Sequence, residues 1–234
     1  MTAKAFSRSA CAMRTTGVTL DHAAALYDWL APLMTLGLES RLHRHVVDRL
    51  NLDRPMAVLD VGCGTGSLTR LIADRMPPGK GRTLGIDAAE KMIEVARRKA
   101  GSRRVTFEAA LAEELPCASG SFDRVVSTFF FHHLDENLKK RAVDEIHRVL
   151  RPGGRAVILD VDVPYNLFGS LCAHAGYVLF RQPEIMENIQ GKLRSVFAAS
   201  RFAGRWSLVS RHSGYITLFE LVRDSQETKS GDIA

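Results

Sequence analysis

The 234-residue sequence has few cysteines and no long apolar run. Its four cysteines, at positions 11, 63, 117 and 172, are too scattered for a disulfide framework and include no Cys-x-x-Cys pair. We therefore expect no metal site and a reducing, cytoplasmic environment. No stretch reaches the roughly 20 consecutive apolar residues of a membrane-spanning helix.

Acidic residues and an apolar signal core are missing from the first twenty residues, which excludes a secretory signal there. We predict that residues 1–18 form a flexible tail, although a transit peptide stays open as the alternative. Residues 225–234 are predicted to form a second tail. Between them, the length favours a single domain over 19–224, divided into parts at 19–54, 55–161 and 162–224.

The charge balance is moderately basic. Lys and Arg number 32 against 26 Asp and Glu, giving a net charge of +6, while 46% of the residues are hydrophobic. This composition is that of an ordinary globular protein. The positive excess leaves an anionic partner open without requiring one.

Short apolar runs alternate with amphipathic helical patterns in the central part of the chain. Strands are predicted at 56–61, 83–87, 105–107, 123–130 and 155–161, with helices between most of them. Two helices are predicted over 21–50, a helix broken near Gly191 over 184–203, and a hairpin from strands 206–211 and 215–222. The order predicts an α/β, Rossmann-like, doubly wound sheet of seven strands, mostly parallel with one C-terminal antiparallel strand.

The strongest motif is a glycine-rich loop, Asp60-Val61-Gly62-Cys63-Gly64-Thr65-Gly66, between a buried strand and a helix. Glycines let the backbone turn tightly and lie directly against a ligand. A dinucleotide fingerprint would place its third glycine at position 67, which is Ser here. Asp87 ends the next strand and predicts a ribose-binding carboxylate, with capping of the helix near Ala88 as the alternative. Together they favour a nucleoside ligand.

From about residue 27 to 222 the sequence resembles the class I S-adenosylmethionine-dependent methyltransferases. The resemblance rests on the glycine loop, Asp87, the stretches 121–127 and 131–134, and the turn 150–154. It implies S-adenosylmethionine as cofactor and S-adenosylhomocysteine as product, with the central part binding the cofactor. The residues that it implies around the cofactor are Asp60, Gly62, Cys63, Gly64, Gly66, Asp87, Ala88, Met92, Leu111, Ala112 and Ser127.

The sequence departs from the family at Leu111. Relatives often carry there an acid that accepts a hydrogen bond from the adenine amino group. With leucine in that place, adenine would depend on apolar contact and on backbone groups near Ala112. One missing hydrogen bond costs about 0.5–1.5 kcal/mol, so weaker cofactor binding is expected rather than its loss.

Methyl transfer needs an aligned acceptor and, for a phenol or a carbon acid, a base. His132 and His133 follow the fourth strand, where the acceptor groups of this family often lie, and are the candidate catalytic residues. Alternatively, one caps the following segment and the other lies at the surface.

No Asp, Glu, Lys or Arg occurs from Val163 to Phe180, after the fifth strand. We predict that this stretch forms the wall or lid of an apolar acceptor pocket, with a buried core segment as the alternative. The predicted pocket residues are Tyr27, Trp29, Met34, Phe131, Tyr165 and Phe168. The acceptor is then a small, largely apolar molecule, quinone-like, phenolic or another specialised metabolite. The start of the chain resembles the quinone and lipid methyltransferase subgroup.

Several alternatives stay open. The N-terminal helices could anchor a phospholipid methyltransferase at a membrane surface, or the chain could be a non-catalytic, cofactor-binding regulator. Thiolates of Cys63, Cys117 and Cys172 could gather as in arsenite methyltransferases, although their spacing gives little support. The protein is expected to be a monomer or a homodimer.

A basic run, Arg97, Arg98, Lys99, Arg103 and Arg104, raises the possibility of nucleic-acid binding. The run ends a predicted helix, where cations are favoured by the helix dipole. Enzymes that methylate base amines usually carry an Asp/Asn-Pro-Pro-aromatic motif after the fourth strand, where this chain has Ser127-Thr128-Phe129-Phe130. Both observations are against nucleic acid as a partner.

Overall fold

A computed structural model describes residues 38–101 and 104–226 of the chain. The helix predicted from Asp21 and the side chain of Arg103 lie outside these residues. The helices are α1 (Glu39–Leu50), α2 (Ser67–Arg75), α3 (Glu90–Ala100), α4 (Glu136–Val149), α5 (Leu167–Phe180), α6 (Pro183–Ile189) and α7 (Lys192–Ala199). The strands are β1 (Ala57–Val61), β2 (Arg82–Asp87), β3 (Val105–Ala109), β4 (Phe122–Thr128), β5 (Leu150–Val161), β6 (Trp206–His212) and β7 (Ile216–Val222).

The strands form one seven-stranded sheet in the order β3-β2-β1-β4-β5-β7-β6. All neighbouring pairs from β3 to β5 are parallel, and β7 is antiparallel to both β5 and β6. The predicted fold class is confirmed. The order changes direction between β1 and β4, and ligands of such sheets bind outside the carboxyl ends of the strands at this point.

Helices cover both faces of the sheet. On one face α4 and α7 pack on β1, β4 and β5, with Val143, Ile146 and Phe197 fully buried. On the other face α1 and α2 contribute Val46, Leu50 and other side chains to a second cluster. Every residue of β1 is buried, as its continuous apolar run predicts. The predicted division of residues 19–224 into three parts stays a prediction.

Two predicted boundaries are wrong. The stretch 151–154 is not a separate turn, because β5 begins at Leu150, directly after α4, with an irregularity in its pairing between Phe122 and Arg124 of β4. Gly153, with φ of 74°, permits this bulge. Strand β4 ends at Thr128 rather than at position 130, because Phe129 has a φ of 52° and cannot continue a strand.

The predicted break near Gly191 is confirmed. Helix α6 ends at Ile189 and α7 begins at Lys192, and Gly191 between them has a φ of 86°. Within the described ranges no helix is long and apolar enough to cross a membrane.

Candidate functional site at the carboxyl edge of the sheet

The glycine loop between β1 and α2 is fixed to the end of β2. The backbone N–H groups of Gly62 and Cys63 donate to the carbonyl of Ile86 at 2.8 and 3.0 Å. The carboxylate of Asp87 accepts from the N–H of Gly64 and from that of Ala89, both at 2.9 Å. Asp87 therefore holds the loop and orders the residues before α3, while its remaining lone pairs can accept hydroxyl groups.

All three loop glycines lie in the left-handed region, with φ of 74° at Gly62, 52° at Gly64 and 78° at Gly66. A Cβ at Gly62 would collide with the ring of Phe130, and one at Gly66 with the ring of Phe107. At Gly64 no atom of the described residues lies within 4 Å of the Cβ position. The loop therefore opens onto free space at Gly64, where a ligand can lie against the backbone.

Asp60 lies beneath this loop, 1% exposed. Its Oδ2 accepts a 2.6 Å hydrogen bond from Thr69, whereas its buried Oδ1 has no partner among the described residues. Burial, and next the negative charge of Asp87, raise the pKa of Asp60 to about 7, against the opposing effect of the Thr69 bond. A carboxylate with an unsatisfied buried oxygen fits a cationic ligand group such as the ammonium of S-adenosylmethionine.

Cys63 belongs to the packing of the loop. Its side chain is buried with Ile93 and Phe107, and burial raises the pKa of its thiol well above the ordinary value. The neutral thiol is a packing group here rather than a nucleophile.

The other predicted cofactor residues lie at different depths. The N–H of Ala110 donates to the carbonyl of Asp87 at 3.0 Å, which brings the following half-buried Leu111 to the ribose-binding end of β2. Ala88 is half-buried next to Asp87, and Met92 and Ala112 are buried. Ser127 is fully buried and donates to the carbonyl of Val61 at 2.8 Å, so its hydroxyl ties β4 to β1 rather than facing a ligand.

A buried carboxylate, Asp160, organises the residues that follow β4. Its Oδ2 accepts from the N–H groups of Phe130 and Phe131 at 2.9 and 2.7 Å. Its Oδ1 accepts from the N–H of Val161 and lies 2.7 Å from Nδ1 of His132. Burial alone would raise the pKa of Asp160, but the charge and hydrogen bond of His132 and the backbone N–H groups hold it below its usual range.

The two histidines differ in their surroundings. His132 is 6% exposed and oriented by Asp160, and its Nε2 has no hydrogen bond within the described residues. Nδ1 of His133 lies 2.9 Å from the side-chain oxygen of Gln182, so it is the donor of that bond. Burial and the neighbouring His132 lower the pKa of His133 to about 3, so this ring stays neutral. Only His132 has the carboxylate partner typical of a general base.

Sequence reasoning missed Asp160, which stands in the apolar run of β5. It also missed Asp162, whose fully buried carboxylate accepts from Arg194 at 2.9 Å and from Thr217 at 2.7 Å. Charged residues inside a buried strand were the available signal, because a buried charge requires partners.

The predicted acceptor residues are not all brought together. Tyr27, Trp29 and Met34 lie outside the described residues. Phe131 is fully buried in the core, with ring centroids 5.5 Å from Phe130 and 6.4 Å from Phe197, and has no surface on an open pocket. Tyr165 and Phe168 are exposed near the start of α5.

The charge-free stretch forms an exposed apolar helix. In α5, Leu167 is 88% exposed, Leu171 70% and Leu179 75%, and only a narrow stripe with Gly169 and Ala173 is buried. The alternative of a buried core segment is therefore wrong.

The cysteines and the basic run are the two remaining features that the sequence singles out. Within the described ranges no group of three or more His, Cys, Asp or Glu side chains could hold a metal ion. Arg97 donates to the carbonyl of Phe107 at 3.0 Å and Arg104 to that of Gly79, so both guanidinium groups bind the chain's own backbone.

Comparison with known proteins gives one family match and many relatives. Residues 58–154 match the family model of a methyltransferase domain. A ubiquinone/menaquinone biosynthesis C-methyltransferase of Geobacter sp. (strain M21) is 37% identical over 145 residues, 60% of each chain. A demethylmenaquinone methyltransferase of Thermus thermophilus is 37% identical over 143 residues, 60% of this chain and 63% of the relative. This chain thus matches about three fifths of the length of these relatives.

Solved structures share the fold. Magnesium protoporphyrin IX methyltransferase from Synechocystis PCC 6803, with bound S-adenosylhomocysteine, superposes with a TM-score of 0.62 at 20% identity, over 83% of this chain and 87% of its own. An S-adenosylmethionine-dependent methyltransferase from Aquifex aeolicus gives 0.61 at 20% identity, over 88% and 99%.

Proposed function

We propose that this chain methylates a small, quinone-like acceptor. The premise is that it carries a methyltransferase domain of the class I S-adenosylmethionine-dependent family. The observation that carries the proposal is the glycine loop. It is open at Gly64, with the unsatisfied Oδ1 of Asp60 below it and Asp87 beside it.

Each of these groups has a task in holding S-adenosylmethionine. Asp60 provides a negative charge for the ammonium group, and the open backbone at Gly64 accommodates the methionine part. Asp87 accepts the ribose hydroxyls, and Leu111 and Ala112 border the adenine. When bound, the cofactor supplies a methyl group on a positively charged sulfur, which is already activated for transfer to a nucleophile.

The chain's chemical contribution is then to remove a proton from the acceptor. We assign this to Nε2 of His132, because Asp160 holds the other ring nitrogen and stabilises the imidazolium that forms. His133 is the weaker candidate, because a ring with a pKa of about 3 binds a proton poorly near neutral pH. Asp160 is a positioning residue, since it acts through His132.

The acceptor class rests on the relatives. Both are named for methylation in quinone biosynthesis, and one is named a C-methyltransferase. A reduced quinone ring carries phenolic hydroxyl groups, and removal of a hydroxyl proton by a neutral histidine base makes the adjacent ring carbon nucleophilic toward the methyl group. The apolar side chains of α5, including Phe168 after β5, would form one wall of its site, together with the predicted residues Tyr27, Trp29 and Met34.

A second candidate acceptor is a membrane lipid, favoured by the exposed apolar surface of α5. Leucine and phenylalanine side chains on a helix without charges can enter the boundary region of a bilayer. Binding of the protein to lipid vesicles, lost when Leu171 and Leu179 are both changed to Ser, would support peripheral membrane contact. We also propose that the protein is cytoplasmic and that it is a monomer or a homodimer, as expected from the sequence.

The test is methyl transfer from deuterium-labelled cofactor to a reduced, short-chain demethylnaphthoquinone, with the product identified by mass spectrometry. We expect a product that is heavier by the mass of the labelled methyl group. In His132→Gln the rate should fall by about 100-fold or more. His133→Gln is the matched comparison, and its rate should fall much less. The rate should also fall in Asp160→Asn, because the imidazolium that forms on His132 loses its counter-charge. No labelled product with this acceptor would reject the quinone proposal, and equal losses in the two histidine variants would reject the assignment of the base.

A further inference from the structure

A cavity of about 340 Å³ lies away from the glycine loop, between α1 and the turn that joins β6 to β7. Helix α1 and the residue before it contribute Leu38, Arg41, Leu42 and His45, which share one helix face. The end of β6 contributes Arg211 and His212, and the turn contributes Ser213. The volume is in the range of small-molecule sites, roughly 300–1,000 Å³.

The cavity opens at the same edge of the sheet as the proposed active site. His212 ends β6 and pairs with Ile216, which in turn pairs with Val161 at the end of β5. Two strand spacings therefore separate the turn from β5, about 10 Å. The turn also contacts the start of α5, where the N–H of Gly214 donates to the hydroxyl of Tyr165 at 3.0 Å.

The inner part of the cavity holds two histidines linked through one hydroxyl. Oγ of Ser210 lies 3.0 Å from Nε2 of His45 and 2.9 Å from Nε2 of His212. A serine hydroxyl has a single proton, so it donates to one ring and accepts from the other. Both Nδ1 atoms are without a hydrogen bond among the described residues, and at least one of them carries a proton available to a ligand.

Two guanidinium groups complete the lining. Arg41 and Arg211 have no acidic partner in the described part of the chain, and Arg211 lies 5.3 Å from the ring centroid of Tyr165. Of the acids nearby, Asp162 is bound by Arg194, and Glu39 lies 3.9 Å from His43, a ring that is neutral near pH 7 because burial lowers its pKa to about 4. Among the described residues no carboxylate lines the cavity, and α5 beside it has no Asp, Glu, Lys or Arg.

We propose that this cavity binds the phosphate group of a phosphorylated ligand. Arg41 and Arg211 provide the charge and the planar donors that suit phosphate oxygens. The histidine whose Nδ1 carries the proton donates to the phosphate, and Leu38 and Leu42 contact the organic part of the ligand. Burial and the charge of His45 lower the pKa of His212 in the free protein, and a bound dianion opposes that effect. The phosphate can belong to a soluble ester or to a lipid headgroup.

The experiment measures binding to the full chain without cofactor, so that its outcome is independent of the proposed methyl transfer. Glycerol 3-phosphate is titrated into the protein at neutral pH, with affinity followed by calorimetry and the ring protons of His45 and His212 by NMR. We expect the dissociation constant to rise about tenfold in Arg41→Gln and in Arg211→Gln, which each remove a charged donor. Arg44→Gln, exposed on the same helix but outside the cavity, is the matched control and should bind as the unchanged protein does.

A second arm replaces the soluble ester with vesicles of phosphatidylglycerol in phosphatidylcholine. Binding of the ester alone, weakened by the two cavity variants, identifies a soluble phosphorylated ligand. Vesicle binding that is lost in the same variants and kept in Arg44→Gln identifies a lipid headgroup. The proposal is overturned when neither probe binds, or when binding is the same in all variants or falls equally in Arg44→Gln. With the phosphate ligand bound, we expect the NMR titration of the His212 ring protons to shift to higher pH.

Discussion

Ionisation of Asp60 lowers the folding stability of the ligand-free protein. Its pKa of about 7 lies above the value of an unfolded aspartate, near 3.9. The folded state therefore keeps a proton that the unfolded state releases. Stability from this group is fully present below about pH 4, declines by up to about 1.4 kcal/mol per pH unit, and levels off above about pH 7.

We predict that Asp60→Asn removes this decline. Denaturant unfolding between pH 5 and 8, without ligand, should show the variant gaining stability relative to the unchanged protein as the pH rises to about 7. The cofactor should bind the variant more weakly, since its ammonium loses a counter-charge. A constant stability difference across this pH range would contradict the raised pKa.

Leu111 is the second residue with a direct prediction. It is half-buried beside Asp87, in the place where relatives carry an acceptor for the adenine amino group. Leu111→Asp should tighten S-adenosylhomocysteine binding by about two- to twelvefold, the equivalent of one hydrogen bond. Calorimetry measures it, and Leu111→Ala separates the hydrogen bond from the loss of apolar contact. Unchanged or weaker binding in the aspartate variant would place adenine elsewhere.

Residue roles were predictable where a local motif carries them. The loop glycines and Asp87 stand next to each other in the structure because a strand, a tight turn and a helix N-terminus follow each other in the sequence. Asp160 could not be assigned in this way, because its partners are Phe130, Phe131 and His132, about thirty positions earlier. The parallel pairing of β4 with β5 creates that contact, and no local pattern encodes it.

At the scale of elements, α5 is where the sequence pattern was least informative. Its apolar residues occur all around the helix, so periodicity cannot separate a buried side from an exposed one. Small residues provide the contact instead, since Gly169 approaches the backbone of Gly214 and Ala173 is 2% exposed against Ile185 and Ile189.

This arrangement predicts opposite results on the two sides of α5. Leu171→Gln, at a 70% exposed position, should change the free energy of unfolding by less than about 0.5 kcal/mol. Ala173→Leu should lower it by about 1–3 kcal/mol through overpacking. Denaturant unfolding of both variants is the measurement. A large loss in Leu171→Gln would mean that residue 171 is covered by other parts of the chain, such as the predicted pocket residues before position 38.

At the scale of the whole molecule, the mostly parallel, doubly wound sheet was predictable from the alternation of strands and helices. Right-handed crossovers leave few arrangements for five parallel strands, and the terminal hairpin adds at the free edge beside β5. The cavity between α1 and the β6–β7 turn was not predictable, because elements separated by about 165 residues meet there. Its basic residues are scattered in the sequence, whereas Arg97 and Arg104 of the conspicuous basic run donate to the chain's own backbone carbonyls.

Cofactor binding should stabilise the whole fold, because the loop after β1, the end of β2 and the segment after β3 meet only in the folded sheet. S-adenosylhomocysteine at 100 times its dissociation constant should raise the free energy of unfolding by about 2.7 kcal/mol.

Two glycine variants test whether the ligand that gives this stabilisation lies against the loop. Gly64 and Gly120 have φ of 52° and 62°, and in the described part of the chain neither has an atom within 4 Å of its Cβ position. Both Ala variants therefore carry a similar backbone strain of about 1 kcal/mol, but Gly120 precedes β4 at the opposite edge of the sheet. At fixed ligand concentration, the stabilisation should be largely lost in Gly64→Ala and kept in Gly120→Ala, because only the first methyl occupies the space proposed for the cofactor. Equal stabilisation of both variants would show that the ligand does not lie against Gly64.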